Sequence, residues 1–126
     1  MNFLDRLHEE QLDLKNKVYK LRNYINTEPY NELDETQKSL LIIQLSAMET
    51  YSKCLSERYG HIKDKHLKSV LGVLIKDQRC NETRLLDMIS NAFETDIRYD
   101  IAREWLGYMV ENGWVVKNGE HYIKNI

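Results

Sequence analysis

Apolar residues open the chain on a 3,4 spacing. Leu4, Leu7, Leu14, Val18, Leu21 and Ile25 hold it, and Gln11 fills the one polar position, for three heptads. This is the seam of a helix packed along one partner helix. Phe3, Leu12, Tyr19 and Tyr24 lie outside the seam and widen the apolar surface. The helix must stop near Thr27, because Pro29 pushes Glu28 out of the α region, and residues 26–31 read as a loop. A second arm begins after Asp34, a good N-cap with Gln37 three residues on, worth ~1 kcal/mol. Two stripes then run side by side. One is Leu41, Leu45, Met48, Ser52, Leu55 and Tyr59; the other is Leu40, Ile43, Ala47, Tyr51 and Cys54. Gly60 is expected to end this helix.

The pattern therefore predicts a long antiparallel helical hairpin over residues 1–60. One stripe faces the first arm. The other needs a further partner, and self-association is the expectation, because large apolar patches are rarely left open.

From residue 61 the pattern changes. His61 to Asp64 reads as a polar joint. Leu67, Val70, Leu71, Leu74 and Ile75 mark a helix with one apolar face. Residues 80–83 read as a break with a cap. Leu85, Leu86, Met88, Ile89, Ala92 and Phe93 mark a second helix. A third is expected to begin at Thr95-Asp96 and carries Ile101, Trp105, Leu106, Met109 and Val110, with Asn112-Gly113 ending it. Two short β-prone runs follow, Trp114–Val116 and His121–Ile123, with Asn118-Gly119 between them as a hairpin signal. Three helices and a β-hairpin are the order of a winged-helix domain, and Trp105, Leu106, Met109, Gly113-Trp114-Val115, Gly119 and Tyr122-Ile123 resemble that group. The fold class is thus mainly α: a hairpin (1–60) for oligomerisation, then a winged-helix-like domain (61–126).

Charge narrows the partners. The net charge is −2; residues 1–60 carry eight Lys/Arg against ten Asp/Glu, and residues 61–126 carry ten of each. Tight duplex DNA binding neutralises many phosphates, so neither half suits it. On the third helix the expected exposed residues are Arg98, Tyr99, Asp100, Arg103 and Glu104, two of them acids. The N-terminus has no signal-peptide core and the longest apolar run, Leu40–Ile43, cannot span a bilayer. The expectation is a cytoplasmic protein with reduced thiols, since Cys54 and Cys80 sit in no metal or redox motif.

The hairpin residues carry a further resemblance. Arg6-Leu7, Lys17, Leu21, Tyr24-Ile25, Thr27, Tyr30 and Leu33, continuing through Leu40-Leu41, Gln44-Leu45, Ala47-Met48, Tyr51, Leu55 and Arg58-Tyr59, resemble the helical hairpin of the phage anti-CBASS and anti-Thoeris sponges. The resemblance implies a non-catalytic homo-oligomer, dimer to hexamer, that sequesters cyclic oligonucleotide or cyclic ADP-ribose signals of bacterial defence in the host cytoplasm.

No enzyme motif, cofactor site or metal site is expected. His61 and His66, around Asp64, are read as part of a solvated joint. A cyclic nucleotide offers phosphates and flat bases, which call for cations and aromatic faces. On the hairpin Lys17, Tyr19, Arg22, Tyr51 and Arg58 supply them. A second candidate pocket comprises Arg84, Arg98, Tyr99 and Arg103. The rival function is a small winged-helix DNA-binding regulator dimerised by the hairpin.

Overall fold

The computed structural model describes residues 3–74, 78–91 and 97–125. It is mainly helical, with one small sheet. In chain order the elements are α1 (Phe3–Tyr24), α2 (Glu28–Asn31), α3 (Glu35–Val73), β1 (Arg79–Asn81), α4 (Glu82–Asn91), α5 (Tyr99–Glu111), β2 (Val115–Asn118) and β3 (His121–Lys124). They divide into two compact units. One is Arg6–Tyr59; the other takes the remaining described residues.

The first unit is the hairpin of α1 and the front of α3. Its seam is the predicted one: Leu7, Gln11, Leu14 and Val18 on α1 are buried, as are Leu55 and Tyr59 on α3, while Leu41, Leu45, Met48 and Ser52 are half-buried. Gln11 holds its seam position by donating to Ser56 Oγ at 2.9 Å, so the polar pair is satisfied inside the interface. At the turn the expected loop is instead the one-turn helix α2: it is Thr27 that takes the extended conformation, Glu28 opens the helix, and Pro29 sits in its first turn, where its missing N–H costs nothing. The Asp34 carboxylate accepts the Gln37 N–H at 2.7 Å, the predicted cap. The second stripe points to solvent: Leu40, Ile43, Ala47, Tyr51 and Cys54 are all exposed.

The helix does not end at Gly60. α3 runs 39 residues without a break, through the supposed joint at 61–64 and through most of what was expected to be a separate helix. The apolar spacing explains this. Ser52, Leu55, Tyr59, Ile62, His66 and Val70 continue the same 3,4 register on both sides of Gly60, half-buried or buried throughout. Gly60 does not take a positive φ; among the described glycines only Gly113 and Gly119 do. Side-chain burial worth ~1.5–3 kcal/mol per residue outweighs a glycine penalty of ~1 kcal/mol.

The second unit packs the rear of α3, α4 and α5 around Trp105, which is fully buried with Leu67, Val70, Leu85, Ile89, Ile97, Ile101 and Met109. Of the three helices expected here, the second and third are separate elements and the first is the rear of α3; the C-terminal β-hairpin is present. A strand missed in the sequence joins them: β1 pairs antiparallel with β3, giving the sheet order β1-β3-β2. At the predicted break, Asn81 both ends β1 and caps α4, its side-chain oxygen accepting the Arg84 N–H at 2.8 Å. Of the third helix's predicted start, Thr95 and Asp96 lie outside the described residues, as do Ile75, Ala92 and Phe93; α5 begins at Tyr99. It ends as predicted at Asn112-Gly113. Gly113 takes φ +71°, Gly113 N–H donates to the Val110 carbonyl and Trp114 N–H to the Met109 carbonyl, a Schellman closure. Gly119 at φ +64° turns β2 into β3.

His66 corrects the picture of a solvated joint. It is buried, its Nε2 donates to the Ile89 carbonyl at 2.8 Å, and its ring meets Trp105 edge-on. His61 is exposed. Burial pushes the His66 pKa below its ordinary value, and the hydrogen bond to Ile89 opposes this only in part. Beside it Tyr108 donates to Asp64 at 3.0 Å, and the Lys63 ammonium lies 3.6 Å from the Tyr108 ring centre.

Candidate functional site

The hairpin seam sorts its neighbours by simple geometry. On each helix a residue one position before a seam residue lies on one flank, and a residue one position after lies on the other. In an antiparallel pair the two "before" flanks meet. Glu10 and Lys17 precede Gln11 and Val18 on α1; Tyr51 and Arg58 precede Ser52 and Tyr59 on α3. The contacts follow. The Tyr51 phenol donates to the Glu10 carboxylate across the hairpin. That hydrogen bond raises the Tyr51 pKa, and the positive charge of Arg58 acts in the opposite direction. Lys17 stands two turns from Glu10 on the same face of α1 and is exposed.

Arg22 and Tyr19 belong to the other flank, one position after Leu21 and Val18. Arg22 is paired with Glu49 of the facing arm at 2.6 Å, a surface ion pair with both side chains well exposed. Tyr19 is 63% exposed. The five hairpin candidates therefore separate: Lys17, Tyr51 and Arg58 share a flank with Glu10, and Tyr19 and Arg22 do not.

Glu10 was not singled out in the sequence, where it reads as one more charge on a solvated face. The available signal was its place: it precedes the seam on α1 as Tyr51 does on α3. The flank thus combines an aromatic face, two cations and one carboxylate acceptor. Next to it runs the exposed stripe of Leu40, Ile43, Ala47 and Cys54, with Ile43 64% exposed.

The four candidates of the second unit do not converge on one cavity. Arg84 lines a small pocket of about 60 Å³ with Arg79, Cys80 and Met88. Arg98 holds Asp100 through two hydrogen bonds of 3.1 Å, which keep the Asp100 carboxyl below the usual carboxylate range. Arg103 lies 6.0 Å from the Tyr99 ring centre and borders a different hollow of about 400 Å³, against α5 and Tyr122. Cys80 is a buried free thiol whose pKa burial raises, while Cys54 is an exposed one. Among the described residues no group of His, Cys, Asp and Glu is placed to hold a metal ion, and no helix is long and apolar enough to cross a membrane.

Comparison with known proteins bears on the first unit. No curated protein and no solved structure matches the chain. A family model does: residues 1–60, the two arms of the hairpin and their turn, match Sequestin. The helical hairpin of this chain, a little under half its length, is therefore similar to that of Sequestin, a family of phage sponges that counter CBASS and Thoeris defence by sequestering cyclic nucleotides.

Proposed function

We propose that this protein is a phage immune-evasion sponge, acting without catalysis in the cytoplasm of the infected bacterium. It binds a cyclic nucleotide signal, a cyclic oligonucleotide or a cyclic ADP-ribose isomer, and removes it by stoichiometric sequestration. The observation that carries the reading is the match of residues 1–60 to Sequestin, supported by an aromatic ring and cations on one flank of that hairpin. Tyr51 offers a ring for a base to stack on, worth ~1–3 kcal/mol. Arg58 and Lys17 offer charge to the phosphates. Glu10 fixes the Tyr51 hydroxyl and leaves a carboxylate oxygen to accept from a base edge.

The exposed stripe supports association of hairpins into a homo-oligomer, with the flank lying beside the contact. The second unit is a winged-helix-like scaffold in this reading. Regulation through duplex DNA is disfavoured by α5 itself, whose outward face carries Asp100, Glu104 and Glu111 against Arg103.

Isothermal titration against a panel of cyclic di- and trinucleotides and cyclic ADP-ribose isomers tests the proposal. One member of the panel binds tightly, Tyr51→Ala and Arg58→Ala each weaken it at least about tenfold, and Arg22→Ala leaves it unchanged. Silence across the whole panel overturns the reading.

A further inference from the structure

Helix α5 turns Ile101, Ala102, Trp105, Leu106 and Met109 inward and buries them. Its opposite face is open, with Arg103, Gly107, Val110 and Glu111 exposed at 3,4 spacing. Gly107 is the anomaly on this face. Glycine is the poorest helix former after proline, yet Gly107 stands well inside a 13-residue helix. Its backbone does not call for glycine, since it takes no positive φ. Nor does its packing: a Cβ built there meets nothing within 4 Å. What glycine supplies at such a place is room for another backbone to come close from outside. A hollow of about 400 Å³ lies along this face, with Arg103 and Glu111 on the α5 side and Glu82, Lys117 and Tyr122 on the other, so a partner entering it must fit between α5 and the sheet.

The charges name the occupant. Arg103 stands four residues before Gly107 and Glu111 four residues after. When a second α5 crosses antiparallel over Gly107, each residue before the glycine meets one equally far after it. Arg103 then faces Glu111 of the second copy, and Glu111 faces its Arg103. The face is self-complementary about a two-fold axis, as an isologous contact requires. We propose that α5 pairs with α5 of a second copy, centred on Gly107, and that this contact is separate from the exposed stripe of the hairpin. It involves only the second unit, outside the segment that matches Sequestin, and does not depend on which ligand the hairpin takes. A single helix face buries less than the ~800 Å² per partner of a standard interface, so the contact is weak alone and gains from any other association of the chain.

A disulfide at the axis tests this on the full chain. In a Cys54→Ser background, which removes the exposed thiol, Gly107→Cys gives a disulfide-linked dimer under mild oxidation. Adding Arg103→Glu sets like charges opposite each other at two symmetric places and slows the crosslink about tenfold. Adding Glu111→Arg to that variant restores the complementarity and the rate. All three side chains are at exposed positions, and an unchanged far-UV spectrum verifies the fold of each variant. Absence of a crosslink between the two introduced thiols, or a charge swap that fails to restore the rate, overturns the proposal. So does a crosslink rate indifferent to both charges. Binding of an added amphipathic peptide to this face without any self-crosslink overturns it in favour of a foreign partner.

Discussion

Replacing Gly60 by alanine should make the protein more stable. The sequence places a glycine where a helix would naturally stop, and the structure carries α3 straight through it. If the backbone there is helical, glycine contributes only its cost: excess freedom in the unfolded chain and no side chain to pack. Gly60 is half-buried, takes no positive φ, and an added Cβ meets no atom within 4 Å. Nothing offsets the gain, which is ~0.5–1 kcal/mol for an unstrained helix interior. For a chain of this size that is a rise in Tm of about 2–5 °C. Gly60→Pro is the opposing control. It removes a helical hydrogen bond and costs ~3 kcal/mol or more. Thermal melts followed by far-UV circular dichroism read both. A Tm for Gly60→Ala below that of the parent refutes the reasoning, because it means residue 60 needs a conformation that alanine resists and α3 is broken there.

Single contacts carry the other expectations. His66 is neutral in the fold with a depressed pKa, so the unfolded chain binds more protons. The stability this contributes is complete above the unfolded pKa of about 6.5 and is lost as pH falls below it towards the folded value. Urea midpoints from pH 8 to pH 5 should fall in that window, and His66→Gln should flatten the decline. Trp105→Ala empties a fully buried site and should cost ~3–5 kcal/mol, seen as loss of cooperative unfolding in the second unit. Asp34→Ala removes the cap on Gln37 and should cost ~1 kcal/mol in denaturant titration, without altering the far-UV spectrum at 25 °C.

The elements legible in the sequence were those fixed by local chemistry or by unbroken periodicity. Leu7, Leu14, Val18 and Leu55 reveal the seam because burial demands their spacing. Asp34, Pro29 and Gly113 announce a cap, a turn and a closure because each has one strong backbone preference. Three features were not legible, for one shared reason: they depend on partners distant in the chain. Gly60 is a local stop signal overruled by packing that continues to Val70. Arg79–Asn81 has the composition of a loop and becomes a strand only because Ile123, Tyr122 and His121 lie opposite it. His66 looks like a surface histidine until Ile89 and Trp105 are brought beside it. The candidate site was legible in residue type but not in side. Sequence spacing put Tyr51 and Arg58 on one face; only the pairing of the arms set Glu10 against Tyr51 and left Arg22 with Glu49.

The sheet order has a consequence for how the chain is made. β3 is the central strand, and both β1 and β2 depend on it. β2 waits only for a tight turn, but Arg79 pairs with Ile123, 44 residues later. At ~5–20 residues per second on the ribosome, β1 spends roughly 2–9 seconds with no strand to pair with. The compact unit of the hairpin ends at Tyr59. The whole of the hairpin unit is therefore synthesised while the sheet of the second unit is still waiting for its middle strand.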